Sequence, residues 1–195
     1  MEKEKMYIGL VGQIASGKGE LKNYLVDKLG FASFSLSSLL HEDLKKQGVI
    51  EFTRETLQDI GDELRKKYGD AILAKRAIEK MNNGELKIKN KIIIEGIRNP
   101  GEIEYLKKLS HFVLIGVKAK RELRFKRLLA RNKKWDPKTW NEFVTVDRRD
   151  LGIGQIKEGQ QVGKCLSYCD YILTNNKDIG DFHRKVKKLI EKIIT

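Results

Sequence analysis

The sequence has 195 residues, enough for one domain with a full hydrophobic core. Apolar residues make up 40% and charged residues 34%, with only 2 prolines, which excludes collagen-like, mucin-like and proline-rich disordered chains. Its 40 Lys and Arg against 27 Asp and Glu give a net charge of +13, so an anionic partner is expected: a nucleotide, nucleic acid or an acidic membrane surface.

The longest apolar runs, such as Phe112-Val113-Leu114-Ile115, fall far short of the roughly 18 residues of a transmembrane helix. The stretch Met1-Glu2-Lys3-Glu4-Lys5 is mixed in charge and leads into a short apolar run, too short for a signal peptide's hydrophobic region. A soluble, cytoplasmic protein is expected. Cys165 and Cys169 are isolated from His41, His111 and His183, so two reduced, part-buried thiols are expected rather than a zinc site.

Residues 6–11 form an apolar strand, and a helical pattern follows through Leu21, Leu25 and Leu29 to a stop at Gly30. A short strand is expected over 32–35, then helices over 39–47 and 53–68, the latter with Leu57, Ile60, Leu64 and Tyr68 at helical spacing. A helix over 70–81 ends in the turn Asn82-Asn83-Gly84. Ile92-Ile93-Ile94, within 91–95, is a buried-strand signature, and Asn99-Pro100 is an N-cap followed by proline at the first helical position. A fourth strand over 112–117 precedes a strongly basic helix over 120–132, and Asp136-Pro137 is expected to open another helix. After a glycine-punctuated stretch over 152–163 come a fifth strand, 171–174, and a closing amphipathic helix, 179–194. Apolar strands separated by helices imply a parallel sheet covered on both faces, in one α/β domain.

Between the first strand and the first helix lies Gly12-Gln13-Ile14-Ala15-Ser16-Gly17-Lys18-Gly19. This is the context a phosphate-binding loop requires. Its glycines let backbone N–H groups converge on phosphate oxygens, the helix N-terminus adds a positive dipole end, and Lys18 supplies a mobile charge. The commonest form places Ser or Thr after the lysine to touch Mg²⁺; Gly19 stands there, followed by Glu20.

The Gly-Lys-Gly version resembles the adenylate kinase group of nucleoside monophosphate kinases. Ile92-Ile93-Ile94-Glu95-Gly96-Ile97-Arg98 resembles their strand ending Asp-Gly-Phe-Pro-Arg. By that resemblance Glu95 holds a magnesium-bound water and Arg98 grips the acceptor's phosphate. Residues 118–134 resemble the helix entering the lid. Arg121, Arg124, Arg127 and Arg131 are expected on one face, with Arg127 on the donor base and Arg131 at the triphosphate. Asp147-Arg148-Arg149-Asp150 resembles the returning lid segment, whose arginines close over the phosphates. Ser38-Leu39-Leu40-His41 stands where those kinases carry Asp-Leu-Leu-Arg, and Arg54 is expected to replace the missing arginine. Ser37 reads best as a helix cap. The stretches Gly159-Gln160-Gln161-Val162-Gly163-Lys164-Cys165 and Cys169–Asn176 resemble dephospho-coenzyme A kinase, whose last strand ends in an asparagine beside the donor base. They resemble more closely the P-loop domain found alone or fused to deoxycytidylate deaminases.

The resemblance implies a P-loop NTPase three-layer sandwich with a five-stranded parallel sheet of order 2-3-1-4-5. One domain would span 1–195, with acceptor-binding helices over 37–70 and a lid over 132–163. It implies catalytic roles for Lys18, Arg98, Arg131, Arg148 and Arg149. ATP binding would fall to Gly12, Gln13, Ile14, Ala15, Ser16, Gly17, Lys18, Gly19, Glu20, Arg127 and Asn175. Acceptor binding would fall to Ser35, His41, Arg54, Glu95 and Arg98, with Mg²⁺ held by Glu95 through water. The leading activity is transfer of the γ-phosphoryl group of ATP to a (deoxy)nucleoside monophosphate, whose phosphate needs no general base, by a monomer or homodimer. Dephospho-coenzyme A is the alternative acceptor; its hydroxyl wants a carboxylate base near the phosphate loop, and no acid directly follows the first strand's glycine. An alternative of another class is an ATP-binding regulatory or nucleic-acid-binding module. The +13 charge and the Arg184-Lys185-Lys187-Lys188 cluster support it, and the absence of an aromatic-basic RNA motif weighs against it.

Overall fold

The computed structural model describes residues 5–83 and 90–194. The first four residues and the end of the expected 82–84 turn lie outside them. Five parallel strands run in the order β2-β3-β1-β4-β5: β1 (Met6–Gly12), β2 (Ala32–Ser35), β3 (Lys91–Glu95), β4 (Phe112–Lys118) and β5 (Tyr171–Thr174). The expected order is the observed one. β1 lies at the centre, pairing Ile8 with Ile93 on one side and Val113 on the other. Six of its seven residues are buried, because helices cover both faces.

One face carries α1 (Lys18–Leu29) and α9 (Ile179–Ile194), which meet over Leu21, Leu25, Ile8, Leu10, Phe182 and Val186. The other carries α2 (Leu36–Lys46), α3 (Arg54–Tyr68), α4 (Ile72–Asn82) and α5 (Pro100–Leu106) over Val11, Ile92, Ile94 and Leu114. Each fully buried Leu or Ile in these layers contributes about 1.5–3 kcal/mol relative to exposure. α6 (Arg121–Arg131), α7 (Trp140–Leu151) and the short α8 (Val162–Cys165) follow the sheet's carboxyl edge. Among the described residues no helix is long and apolar enough to cross a membrane. Cys165 and Cys169 are free thiols, and burial holds both above the ordinary thiol range, Cys169 at about 12.

Three boundaries differ from the expected ones. α2 begins at Leu36 rather than residue 39, which puts Leu36, Leu39, Leu40 and Leu44 on one buried face. Its N-cap is therefore Ser35, and Ser37 is no cap: it lies in the first turn, its hydroxyl 2.9 Å from that of Ser35. α4 begins at Ile72 rather than residue 70. Asp136-Pro137 does not open α7. Thr139 does, its hydroxyl accepting from the N–H of Glu142 while the Glu142 carboxylate accepts from the N–H of Thr139. A reciprocal cap outcompetes a proline signal because it satisfies two helix-end donors at once. Asp136 is thereby free to serve arginines elsewhere.

Candidate functional site

Every strand's carboxyl end meets one edge of the sheet, and a cleft of about 660 Å³ opens there. Its floor is the loop from Gly12 to Lys18. Ala15 (φ 56°) and Gly17 (φ 111°) are left-handed, a geometry that turns successive backbone N–H groups to one side. A side chain at Gly17 would strike the amide of Asn175, and one at Gly12 the carbonyl of Val117, so close packing demands glycine at both. Gly19 is different. A Cβ there meets nothing within 4 Å, so packing leaves room for the hydroxyl residue that other phosphate loops carry.

The loop is clamped from two elements. Asn175, 4% exposed at the end of β5, donates to the carbonyl of Ser16 at 3.0 Å. Arg124 donates to the carbonyl of Ile14 at 3.3 Å, while the Ile14 side chain packs with Leu128, Phe143 and Val146 under α6 and α7. Lys18, at the start of α1, turns back onto its own loop, donating to the carbonyls of Gly12 and Gln13.

Around this floor stand cations that repel one another. Burial and the neighbouring Arg98 and Arg54 lower the Lys18 ammonium to a pKa of about 7. Burial and Arg98 likewise press the Arg54 guanidinium downward, with Arg131 adding to the pressure. Arg98, Arg54, Arg127 and Arg131 all line the cleft. Local carboxylates hold them: Arg98 pairs with Asp150, Arg131 grips Asp136 through two bonds of 2.6 and 2.8 Å, and Arg54 reaches Asp136 at 3.3 Å. Such a ring is built for a polyanion.

Residues 11–143 match the family model described as the AAA domain. The chain is similar to the UPF0200 protein PH1008 of Pyrococcus horikoshii, 32% identical over 193 residues, 97% of this chain and 98% of the relative. The chain belongs to the UPF0200 and AAA-domain families. Among solved structures it resembles shikimate kinase from Acinetobacter baumannii (TM-score 0.56, 18% identity, 97% of this chain and 93% of that one). It also resembles dephospho-CoA kinase from Campylobacter jejuni (TM-score 0.50, 16% identity, 97% of this chain and 97% of that one). The fold is that of the P-loop kinases.

The structure brings together in the cleft Ile14 to Glu20, Ser35, His41, Arg54, Glu95, Arg98, Arg127, Arg131 and Asn175. It does not bring Arg148 or Arg149 there. Arg148 is exposed on α7, and Arg149 turns to α3, pairing with Asp59 and Asp62 at 2.6 and 2.9 Å. The reason is rotational: α7 points Phe143, Val146, Asp147 and Asp150 inward, which swings residues 148 and 149 out. The four arginines of α6 also part company. Arg124 is 1% exposed and pairs twice with the buried Asp147, so it braces the helices. Arg127 is tied to Asn175 by bonds of 3.0 and 3.2 Å to its carbonyl and side-chain oxygens. The region 132–163 is likewise uneven. From residues 140–151, Phe143 and Val146 are buried against Ile14 of the loop, and the carbonyls of Lys157 and Gly159 accept from Asn99.

Several participants were not anticipated. Glu102 accepts from the backbone N–H groups of Arg98 and Asn99 at 2.7 and 3.1 Å and pairs with the buried Arg65 at 3.1 Å. This network sets where the Arg98 side chain starts. The visible signal was the Asn99–Glu102 spacing of a capping box. Gln58, Gln160 and Trp135 also line the cleft, and Trp135 forms an aromatic cluster with His41 and Phe52. Gln160 lies in the Gly159-Gln160-Gln161 stretch that carried the family resemblance without a role being assigned to it, while Gln58 and Trp135 belong to no sequence pattern that would single them out.

A bound phosphate will favour the charged form of Lys18, so nucleotide binding at pH 8 is expected to take up close to one proton. Calorimetry in two buffers of different ionisation enthalpy measures this directly. Equal apparent enthalpies would show that the ammonium is already fully charged beforehand.

Proposed function

We propose that the chain moves the γ-phosphoryl group of ATP to a (deoxy)nucleoside monophosphate or a similar nucleotide-like acceptor. The observation that carries this reading is the convergence of cations on one cleft. Lys18, Arg54, Arg98 and Arg131 all line it, with Arg54 and Arg131 sharing Asp136 and with Arg98 and Arg54 pressing on the Lys18 ammonium. That concentration of positive charge suits two phosphorylated ligands meeting end to end. In phosphoryl transfer, positioning and charge neutralisation supply most of the catalysis.

Lys18 bridges the donor's terminal phosphates, Arg98 and Arg54 hold the acceptor's phosphate, and Arg131 meets the migrating group. The segment 132–139, which carries Asp136, Lys133 and Trp135, covers the junction and excludes water; the lid is confined to it, with 140–163 as its fixed base. Helices α2 and α3 form the acceptor wall. Among the described residues no cluster of three or more His, Cys, Asp or Glu is arranged to hold a metal. Glu95, whose carboxylate Lys22 holds at 3.3 Å, would hold the magnesium ion of an ATP complex through water, and the ion would supply charge neutralisation on the phosphates. Among the described residues lining the cleft, Glu20 and Glu95 are the acids, outnumbered by lysines and arginines, which favours an acceptor phosphate over an acceptor hydroxyl that wants a base.

ADP release measured across the ribo- and deoxynucleoside monophosphates and dephospho-coenzyme A tests the proposal. Turnover with one or more monophosphates, and little with dephospho-coenzyme A, is the expected result. ATP binding with no acceptor-dependent turnover, together with salt-sensitive retention on RNA or DNA, would replace the kinase reading with a nucleic-acid-binding one.

A further inference from the structure

Three buried side-chain atoms of cleft-lining residues have no hydrogen-bond partner among the described residues: Oγ of Ser16 in the phosphate loop, and Nε of Arg54 and Oε1 of Gln58, both on α3. Residues 54 and 58 are one helical turn apart on the same face, so a donor and an acceptor stand side by side. The orientation of the Gln58 amide follows from its neighbours. Arg98 donates to Oε1 of Gln160 at 3.5 Å, and a guanidinium has no acceptor to offer, so Gln160 presents its oxygen. Gln58 then faces that oxygen with its NH₂ group, at 3.1 Å. Its own oxygen is left over. The residue is 2% exposed, and a buried acceptor without a donor is destabilising, so a ligand that supplies the donor gains from it.

Resting on the kinase reading above, we propose that α3 recognises the acceptor at two points: Arg54 takes an oxygen of its phosphate, and Gln58 accepts from an N–H or O–H group one helical turn away. The acceptor is thus a phosphate monoester that carries a hydrogen-bond donor close to its phosphate. In a nucleoside monophosphate a sugar hydroxyl meets that description at the shorter reach, and an exocyclic amine of the base at the longer. A carbonyl in the same place would face another acceptor and be rejected.

The test pairs changes in the protein with changes in the ligand. Affinities of AMP, CMP, GMP and UMP are measured by calorimetry in the presence of a non-hydrolysable ATP analogue. The tightest binder is then compared with its 2′-deoxy, 3′-deoxy and 2′,3′-dideoxy forms, and CMP with UMP, in wild type, Gln58→Leu and Gln58→Glu. In wild type, removing one specific donor is expected to weaken binding about tenfold, and in Gln58→Leu the same removal should have no further effect. Gln58→Glu keeps an acceptor and should keep the discrimination. Coupling to a hydroxyl, or to the amine that separates CMP from UMP, supports the inference and locates the donor. If monophosphates bind and Gln58→Leu weakens every one of them equally, Gln58 is a packing residue and the inference falls while the kinase reading stands. If no monophosphate binds at all, the kinase reading itself fails.

Discussion

Lys18→Ala is expected to lower kcat/KM by on the order of 10²–10³-fold, since one aligned charge on a transferring phosphoryl group supplies several kcal/mol in the transition state. The fold should survive. In the folded chain the Lys18 ammonium has its pKa pressed down to about 7 by burial and by Arg98 and Arg54, against an ordinary value of 10.5. Between those two values the unfolded chain binds the extra proton, so stability rises with pH across that window. At neutral pH and below, the charge is a burden on the native state. Removing it relieves that burden and gives up the bonds to the Gly12 and Gln13 carbonyls. The melting temperature should therefore stay within about 2–4 °C of wild type. Turnover within threefold of wild type would show that the loop binds something other than a reacting phosphate.

Arg98→Ala and Arg131→Ala should fail in different ways. Losing a charge-assisted contact to phosphate costs about 2–4 kcal/mol in the transition state, so either substitution slows transfer by roughly 30- to 1000-fold. Under the proposed function Arg98 holds the acceptor's phosphate, so its loss should raise the acceptor's KM and lower kcat with donor affinity unchanged. Arg131 stands at the end of α6 and should mainly affect kcat. Their structural consequences also differ. Asp150 is buried and pairs with Arg98, so Arg98→Ala strands a buried carboxylate and should destabilise the fold by about 3–5 kcal/mol. Arg98→Ala combined with Asp150→Asn should restore the melting temperature and leave activity low. Asp136 keeps Arg54 when Arg131 is removed, so the loss of stability there should be smaller. Equal, small kinetic effects of both substitutions would make these arginines surface charges.

What local sequence determined, it determined through short-range physics. The strand-loop-helix at 6–29, the capped start at Asn99-Pro100, and the apolar runs of β3 and β4 each rest on neighbours a few residues apart. They were legible because backbone conformation and burial pattern are set at that range. The phosphate loop was legible from its own glycines and lysine between strand and helix, whereas the strand order was readable only with the kinase resemblance added, which carried information about the whole arrangement. The tertiary structure decided everything that depends on which way a helix is turned. It sent Arg149 to Asp59 and Asp62, buried Arg124 against Asp147, and left Arg131 facing the cleft, although the four arginines of α6 were expected to share one face. It chose Asp136 as a partner for Arg54, 82 positions away, rather than as a helix opener. It placed Gln58 against Gln160, 102 positions along the chain. A charge shows in sequence, but its partner is chosen by packing, because burying an arginine is tolerable only where the fold also delivers a carboxylate.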